Sequence, residues 1–124
     1  MLSFIIPAHN EEAYLNKTIN AIHQSTIGIS ENYEILVVDD ASTDNTKAVG
    51  EAAGALVISV NNRKIAATRN SGAKAAKGDI FFFIDADTCI NQACLKESLE
   101  ALKSGAVGGG CHFNYDAKLP FWAS

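Results

Sequence analysis

The chain has 124 residues, of which 48% are hydrophobic and 19% charged, with a formal net charge of −4. That length allows a single domain with a real core, and the acidic balance excludes the basic stripe on which a nucleic-acid surface relies. No apolar run approaches the roughly 18–20 residues that span a bilayer, and the opening MLSFIIPAHNEE turns acidic too early for a secretory signal. A cytoplasmic location is expected, with membrane association through other segments left open. Cys89, Cys94 and Cys111 form no CxxC pair, and their odd number fits reduced thiols. With His112 they match no common zinc-ligand spacing, so small core side chains are expected of them.

Strand-like and helix-like blocks alternate along the chain. Residues 2–7 read as a short apolar strand ended by Pro7, which cannot donate to a ladder. Asn10 is the expected N-cap of the next helix, with Glu11 and Glu12 at its positive end. Leu15, Ile19 and Ile22 recur at i, i+4, i+7, the stripe of a core-facing helix. A second strand is expected over 34–38, followed by Asp39 and Asp40. Ser42 or Thr43 then caps a helix that runs to about Ala53, and Gly54 stops it. Residues 56–60 form the third strand. An Ala-rich helix follows over 65–76, closed by Gly78, with small side chains that let it lie close to a sheet. The run IFFFI at 80–84 is the fourth strand, buried on both faces. A helix over 91–103 carries Leu95, Leu99 and Leu102 inward, and 106–112 begins a fifth extended segment after Gly105.

Strands that alternate with helices of about ten to fifteen residues specify βαβ units. The expected fold class is therefore α/β: a Rossmann-like, mainly parallel sheet of spatial order 3-2-1-4, with helices on both faces. The loops after all four strands then open on one edge, where such sheets bind ligands. Those loops hold Pro7-Ala8-His9-Asn10-Glu11, Asp39-Asp40-Ala41-Ser42, Asn61-Asn62-Arg63-Lys64 and Asp85-Ala86-Asp87-Thr88. The two carboxylates Asp85 and Asp87, spaced i and i+2 after an apolar strand, suit a hard divalent ion such as Mg²⁺ or Mn²⁺ that would in turn hold a phosphate. A helix-capping turn is the competing reading of the same residues. No GxxxxGK[ST] loop occurs, which excludes a P-loop, and no GxGxxG follows the first strand.

Four segments in order, FIIPAHNEE, EILVVDDASTD, ATRNSGAKAAKGD and FFFIDADT, resemble the amino-terminal half of a family 2 glycosyltransferase, strongly over residues 2–90 and more weakly through 107–113. The resemblance implies the GT-A fold, a nucleotide-diphosphate sugar donor (a UDP-sugar above all), a divalent metal and an inverting transfer to an acceptor such as a saccharide or lipid. It places Pro7, Ala8 and Glu11 around the nucleoside. Asp40 accepts a hydrogen bond from the base, with Asp39 the alternative. Arg69 lies near the diphosphate or orients Asp85, and Asp87 holds the metal with Asp85 in support. Each also has a structural reading: Glu11 as an acid in a helix's first turn, Asp40 as an Asx turn, Arg69 as an exposed helix residue. Arg63 and Lys64 fit a solvated basic turn equally well, and His9 and His23 read as structural or exposed.

The base that takes the acceptor's proton finds no match. Asp116 is the sole acid beyond the fourth helix and its context does not fit, so the base is expected beyond Ser124. The chain is accordingly read as a donor-binding part truncated at its carboxyl end, with a catalytically incomplete nucleotide-sugar-binding module as the alternative. Leu119, Phe121 and Trp122 are expected to lack cover, which leaves 112–124 poorly packed or engaged with a second copy. A phospho-receiver domain is disfavoured because Asn61-Asn62 stands where its acceptor Asp would be. A nucleotidyltransferase is disfavoured by the first loop, which lacks a Gly- and Arg-rich phosphate-binding pattern.

Overall fold

The computed structural model describes residues 1–86 and 90–101 and the backbone of 102–103 and 115–118, so the expected inward side chain of Leu102 lies outside the description. Among the described residues nine elements follow one another: β1 (Leu2–Ala8), α1 (Leu15–Ser25), β2 (Tyr33–Asp40), α2 (Thr46–Ala52), β3 (Leu56–Val60), α3 (Ile65–Ala75), β4 (Ile80–Ile84), α4 (Gln92–Lys103) and β5 (Tyr115–Lys118). The sheet order is β3-β2-β1-β4-β5. The first four strands are parallel, in the expected order 3-2-1-4, and β5 joins β4 antiparallel. Asp87, Cys89, Cys111, the extended segment expected over 106–112 and most of the carboxyl-terminal stretch lie outside the described residues. Residues 115–118 of that stretch pair with β4, while Leu119, Phe121 and Trp122, on which the expected lack of cover rests, lie outside the described residues. No helix among the described residues is long and apolar enough to cross a membrane.

Side-chain parity along the strands builds two cores. Leu2, Phe4 and Ile6 of β1, Ile35 and Val37 of β2, and Phe82 and Ile84 of β4 face one way, where Leu15, Ile19 and Ile22 of α1 and Leu95 and Leu99 of α4 cover them. Ile5, Leu36, Val38, Phe81 and Phe83 face the other way, under α3. All of these are buried, so both faces are closed and the strands read as continuous apolar runs. Helix α3 lies so close that a Cβ on Gly72 would stand 2.4 Å from Ile5 Cγ2. That contact is the physical reason for its small-residue composition.

Several local expectations change. β1 continues through Pro7 to Ala8 alongside β2, whereas its pairing with β4 stops at Ile5. Asn10 does not cap α1. It takes a left-handed φ of 54°, the helix begins at Leu15, and the Glu11 carbonyl accepts from the N–H groups of Tyr14 and Leu15. Glu11 is consequently not an acid of the helix's first turn. Ser42 and Thr43 do not cap α2 either, since their polar atoms are engaged across the loops. Asn10 N–H donates to Ser42 Oγ at 2.9 Å, and Thr43 N–H donates to Asn10 Oδ1 at 2.8 Å. Helix α2 starts instead at Thr46, whose N–H and hydroxyl both donate to Asp44 Oδ1. Gly54, with φ +93°, stops α2 as expected. Gly78 does not close α3. It is a close-approach position, donating to Ser3 Oγ at 2.9 Å with no room for a Cβ.

Candidate functional site

A cleft of about 490 Å³ opens at the carboxyl ends of the parallel strands, within the size range of small-ligand sites. Pro7, Ala8, His9 and Glu11 line it from β1 and its loop, Asp40 from β2, Arg63, Lys64, Ile65 and Thr68 from the start of α3, and Asp85 and Ala86 from the end of β4. Five of the site residues expected from the sequence, Pro7, Ala8, Glu11, Asp40 and Asp85, thus come together. Arg69 reaches the same place from α3: its Nη2 lies 3.9 Å from Asp85 Oδ1, and its guanidinium stands 5.9 Å from the Phe83 ring centroid. It is half-buried, and its position toward Asp85 is not that of a solvated helix residue.

Asp40 is the most constrained group in the cleft, 7% exposed. Its Oδ1 accepts from Asn62 N–H at 2.8 Å and Arg63 N–H at 3.1 Å, and its Oδ2 accepts from the Thr68 hydroxyl at 2.9 Å. Burial pushes the carboxyl up. The Arg63 N–H, the Thr68 hydroxyl, the Asn62 N–H and nearby His9 outweigh it and hold Asp40 below the usual carboxylate range. The Asx-turn geometry belongs to Asp39, whose Oδ1 accepts from Ser42 N–H at 3.2 Å. Which of the two acids faces the cleft is thereby decided by strand parity, with Asp40 on the α3 face beside Leu36 and Val38.

His9 is a further cleft residue. Its Nδ1 donates to the Asp40 carbonyl at 2.6 Å, because a carbonyl can only accept, and Nε2 is then the atom turned to the Asn10 amide at 3.4 Å. His23 is structural, set between the Tyr33 hydroxyl at 2.7 Å and the Ala53 carbonyl at 3.0 Å. The β1 and β2 loops are pinned by further cross-loop bonds, Glu11 N–H to Thr46 Oγ1 at 2.9 Å and Glu12 N–H to Asp44 Oδ2 at 3.3 Å. Asp44 is held below its ordinary range, first by the Thr46 hydroxyl. Thr68 and Ile65 were not legible as cleft residues, since helix facing depends on how α3 docks on the sheet. Among the described residues no three His, Cys, Asp or Glu side chains form a metal-binding group, and Cys94 is a free thiol.

The chain matches the model of glycosyl transferase family 2 over residues 3–124. It belongs to that family. Among curated relatives it is 31% identical over 123 residues to the glycosyltransferase AglE of Haloferax volcanii, covering 92% of this chain and 40% of AglE. It is 33% identical over 106 residues to the minor teichoic acid biosynthesis protein GgaA of Bacillus subtilis, covering 77% of this chain and 23% of GgaA. The chain therefore spans well under half the length of these relatives. Solved structures give the same fold. Residues 1–349 of TarS of Staphylococcus aureus superpose with a TM-score of 0.70 at 28% identity, over 83% of this chain and 32% of that fragment. Glucosyl-3-phosphoglycerate synthase of Mycobacterium tuberculosis, in complex with Mn²⁺, UDP and glucosyl-3-phosphoglycerate, gives 0.69 at 28% identity, over 82% and 39%. Mannosyltransferase PcManGT of Pyrobaculum calidifontis, in complex with GDP-Man and Mn²⁺, gives 0.76 at 25%, over 86% and 33%. The GT-A fold expected from the sequence is the fold observed.

Proposed function

We propose that the cleft is the donor site of a glycosyltransferase that takes a nucleotide-diphosphate sugar, a UDP-sugar first, with a divalent ion, and transfers the sugar to an acceptor hydroxyl with inversion. The observation that carries this reading is the convergence of Asp40 from β2 and Asp85 from β4 on one cleft with Arg63 and Lys64 at its rim. One carboxylate suits a base N–H, and the other, with the Arg69 guanidinium 3.9 Å away, suits an ion and a diphosphate. Related structures solved with UDP and Mn²⁺ support it.

The donor set fits Mg²⁺ or Mn²⁺. Asp85, a third exposed at the cleft, would offer one hard oxygen ligand and Asp87, two residues on in the sequence, would offer a second, as many protein carboxylates as such an ion needs. When bound, the ion stabilises the charge that develops on the departing diphosphate. The chain's own residues bind and orient. Asp40 takes the base N–H, Pro7, Ala8 and Glu11 line the nucleoside end, and Arg69 fixes the direction of the Asp85 carboxylate. The base that deprotonates the acceptor is assigned to none of the described residues.

Calorimetry with UDP, with and without Mn²⁺, tests the reading. UDP should bind more tightly with the ion, and Asp87→Asn should remove most of that increment, because an amide keeps the shape and loses the charge that holds a hard cation. UDP affinity that is indifferent to Mn²⁺ and to Asp87→Asn would remove the metal from the proposal. Failure of UDP to bind under any condition would remove the donor site.

A further inference from the structure

Asp40 has nearly exhausted its capacity to accept. A carboxylate offers about four lone-pair sites. Two on Oδ1 are taken by Asn62 N–H and Arg63 N–H, and one on Oδ2 by the Thr68 hydroxyl. Among the described residues one site is left, on a side chain that lines the cleft. Thr68 Oγ1 stands 2.9 Å from both Asp40 Oδ2 and the Lys64 carbonyl. It has a single proton, and the ionised carboxylate is the stronger acceptor. With Thr68 2% exposed, water does not replace that contact.

We propose that Thr68 sets the base preference of the cleft, by leaving Asp40 room for one base N–H and not for two. The inference rests on the reading of the cleft as a nucleotide site with the base toward Asp40. Uracil presents a single imide N–H between two carbonyl oxygens. Guanine presents N1–H and a 2-amino N–H side by side, and two donors need two acceptor sites. Against one open site a guanine leaves its second donor without a protein acceptor, so the hydrogen bond that this donor makes in water is not replaced. The fold by itself does not make this choice, since its solved members include complexes with UDP and with GDP-Man. Thr68 acts through Asp40 and is a positioning residue.

Inosine diphosphate isolates the effect, because inosine keeps the N1–H of guanosine and lacks its 2-amino group. In calorimetry with Mn²⁺ the unmodified protein should bind UDP more tightly than GDP, and inosine diphosphate about fivefold more tightly than GDP. Thr68→Val keeps the shape and frees a second site on Oδ2, so both preferences should shrink by about fivefold. Thr68→Ser, which restores the hydroxyl, should restore them. A purely structural Thr68 would change stability and leave the ratios alone. Equal binding of GDP and inosine diphosphate by the unmodified protein overturns the inference even where the Val variant does not fold. Unchanged ratios in a folded Val variant overturn it as well. Absence of UDP binding altogether overturns the donor-site reading and this inference together, whereas UDP binding with GDP and inosine diphosphate alike overturns the inference alone.

Discussion

Strand β2 carries an acid near each end, Glu34 and Asp40, and the two make an instructive pair. Both have the parity of Leu36 and Val38, so both lie on the face that α3 covers. Both accept backbone N–H groups from the loops that flank α3. Asp40 takes Asn62 and Arg63 before the helix, and Glu34 Oε2 takes Lys77 N–H after it, at 2.6 Å. Both also take one hydroxyl, Thr68 for Asp40 and Ser3 for Glu34. Helix α3 is thus tethered to one strand at its two ends by the same chemical device. The difference is position. Glu34 sits at the amino edge with Ser3 and Gly78, while Asp40 sits at the carboxyl edge and lines the cleft. One carboxylate holds the fold at the closed edge of the sheet, and the other holds it where the cleft opens.

The comparison can be broken first at the middle of the tethered helix. Gly72→Ala puts a Cβ 2.4 Å from Ile5 Cγ2 and 2.9 Å from Val38 Cγ2, so α3 must lift away from both tethers. It should cost about 3 kcal/mol of stability, read as a lower thermal midpoint and weaker UDP binding at once. Next, Asp40→Ala leaves the Asn62, Arg63 and Thr68 donors without their acceptor. A stability loss of about 2 kcal/mol is expected, together with UDP affinity about tenfold weaker even without metal. Unaltered nucleotide affinity in a folded Asp40→Ala protein would place the base elsewhere.

Glu34→Gln sharpens the contrast from the other end. The amide oxygen still accepts from Ser3 and Lys77 but loses the charge, so denaturant titration should show about 1 kcal/mol lost while UDP affinity stays the same. The smallest effect concerns acid. Asp40 titrates below its ordinary 3.8 in the folded protein. Its stabilising contribution is therefore complete above that value and is lost as the pH falls through the lower folded value. Denaturant midpoints measured from about pH 6 down to about pH 2.5 should decline less steeply below about pH 4 for Asp40→Asn than for the unmodified protein.

Much of this was legible in the sequence, and the reasons it was differ by element. β3 and β4 are bounded by turn residues and filled with β-branched or aromatic side chains, so their limits match what the pattern implies. The stripe Leu15, Ile19, Ile22 identifies the buried face of α1 without any tertiary information. Helix starts were harder. Asn10, Ser42 and Thr43 have good capping chemistry, but it is spent on bonds between two loops more than thirty residues apart, and no local rule sees a partner at that separation. The ambiguity between Asp39 and Asp40 had a readable answer. Once β2 is taken to extend to residue 40, period-two alternation puts Asp40 with Leu36 and Val38. Thr68 had no such signal, because its partner is fixed by how closely Gly72 lets α3 approach the sheet.

The register of β1 bears on the order in which the molecule assembles. Ser3 pairs with Glu34 of β2, 31 positions away, and the whole Asp40 end of the cleft, from Pro7 to Thr68, is contained in the β1-to-α3 segment. The other side of β1 waits for β4, where Ser3 meets Phe81 from about the same span as the 78 residues between Met1 and Asp79. Closing a longer loop costs more chain entropy and comes later. The Asp40 end should therefore acquire protected amides before Asp85 is carried into place, an order that pulse-labelled hydrogen exchange during refolding would resolve. Simultaneous protection of β2 and β4 would show instead that the two ends of the cleft form in one step.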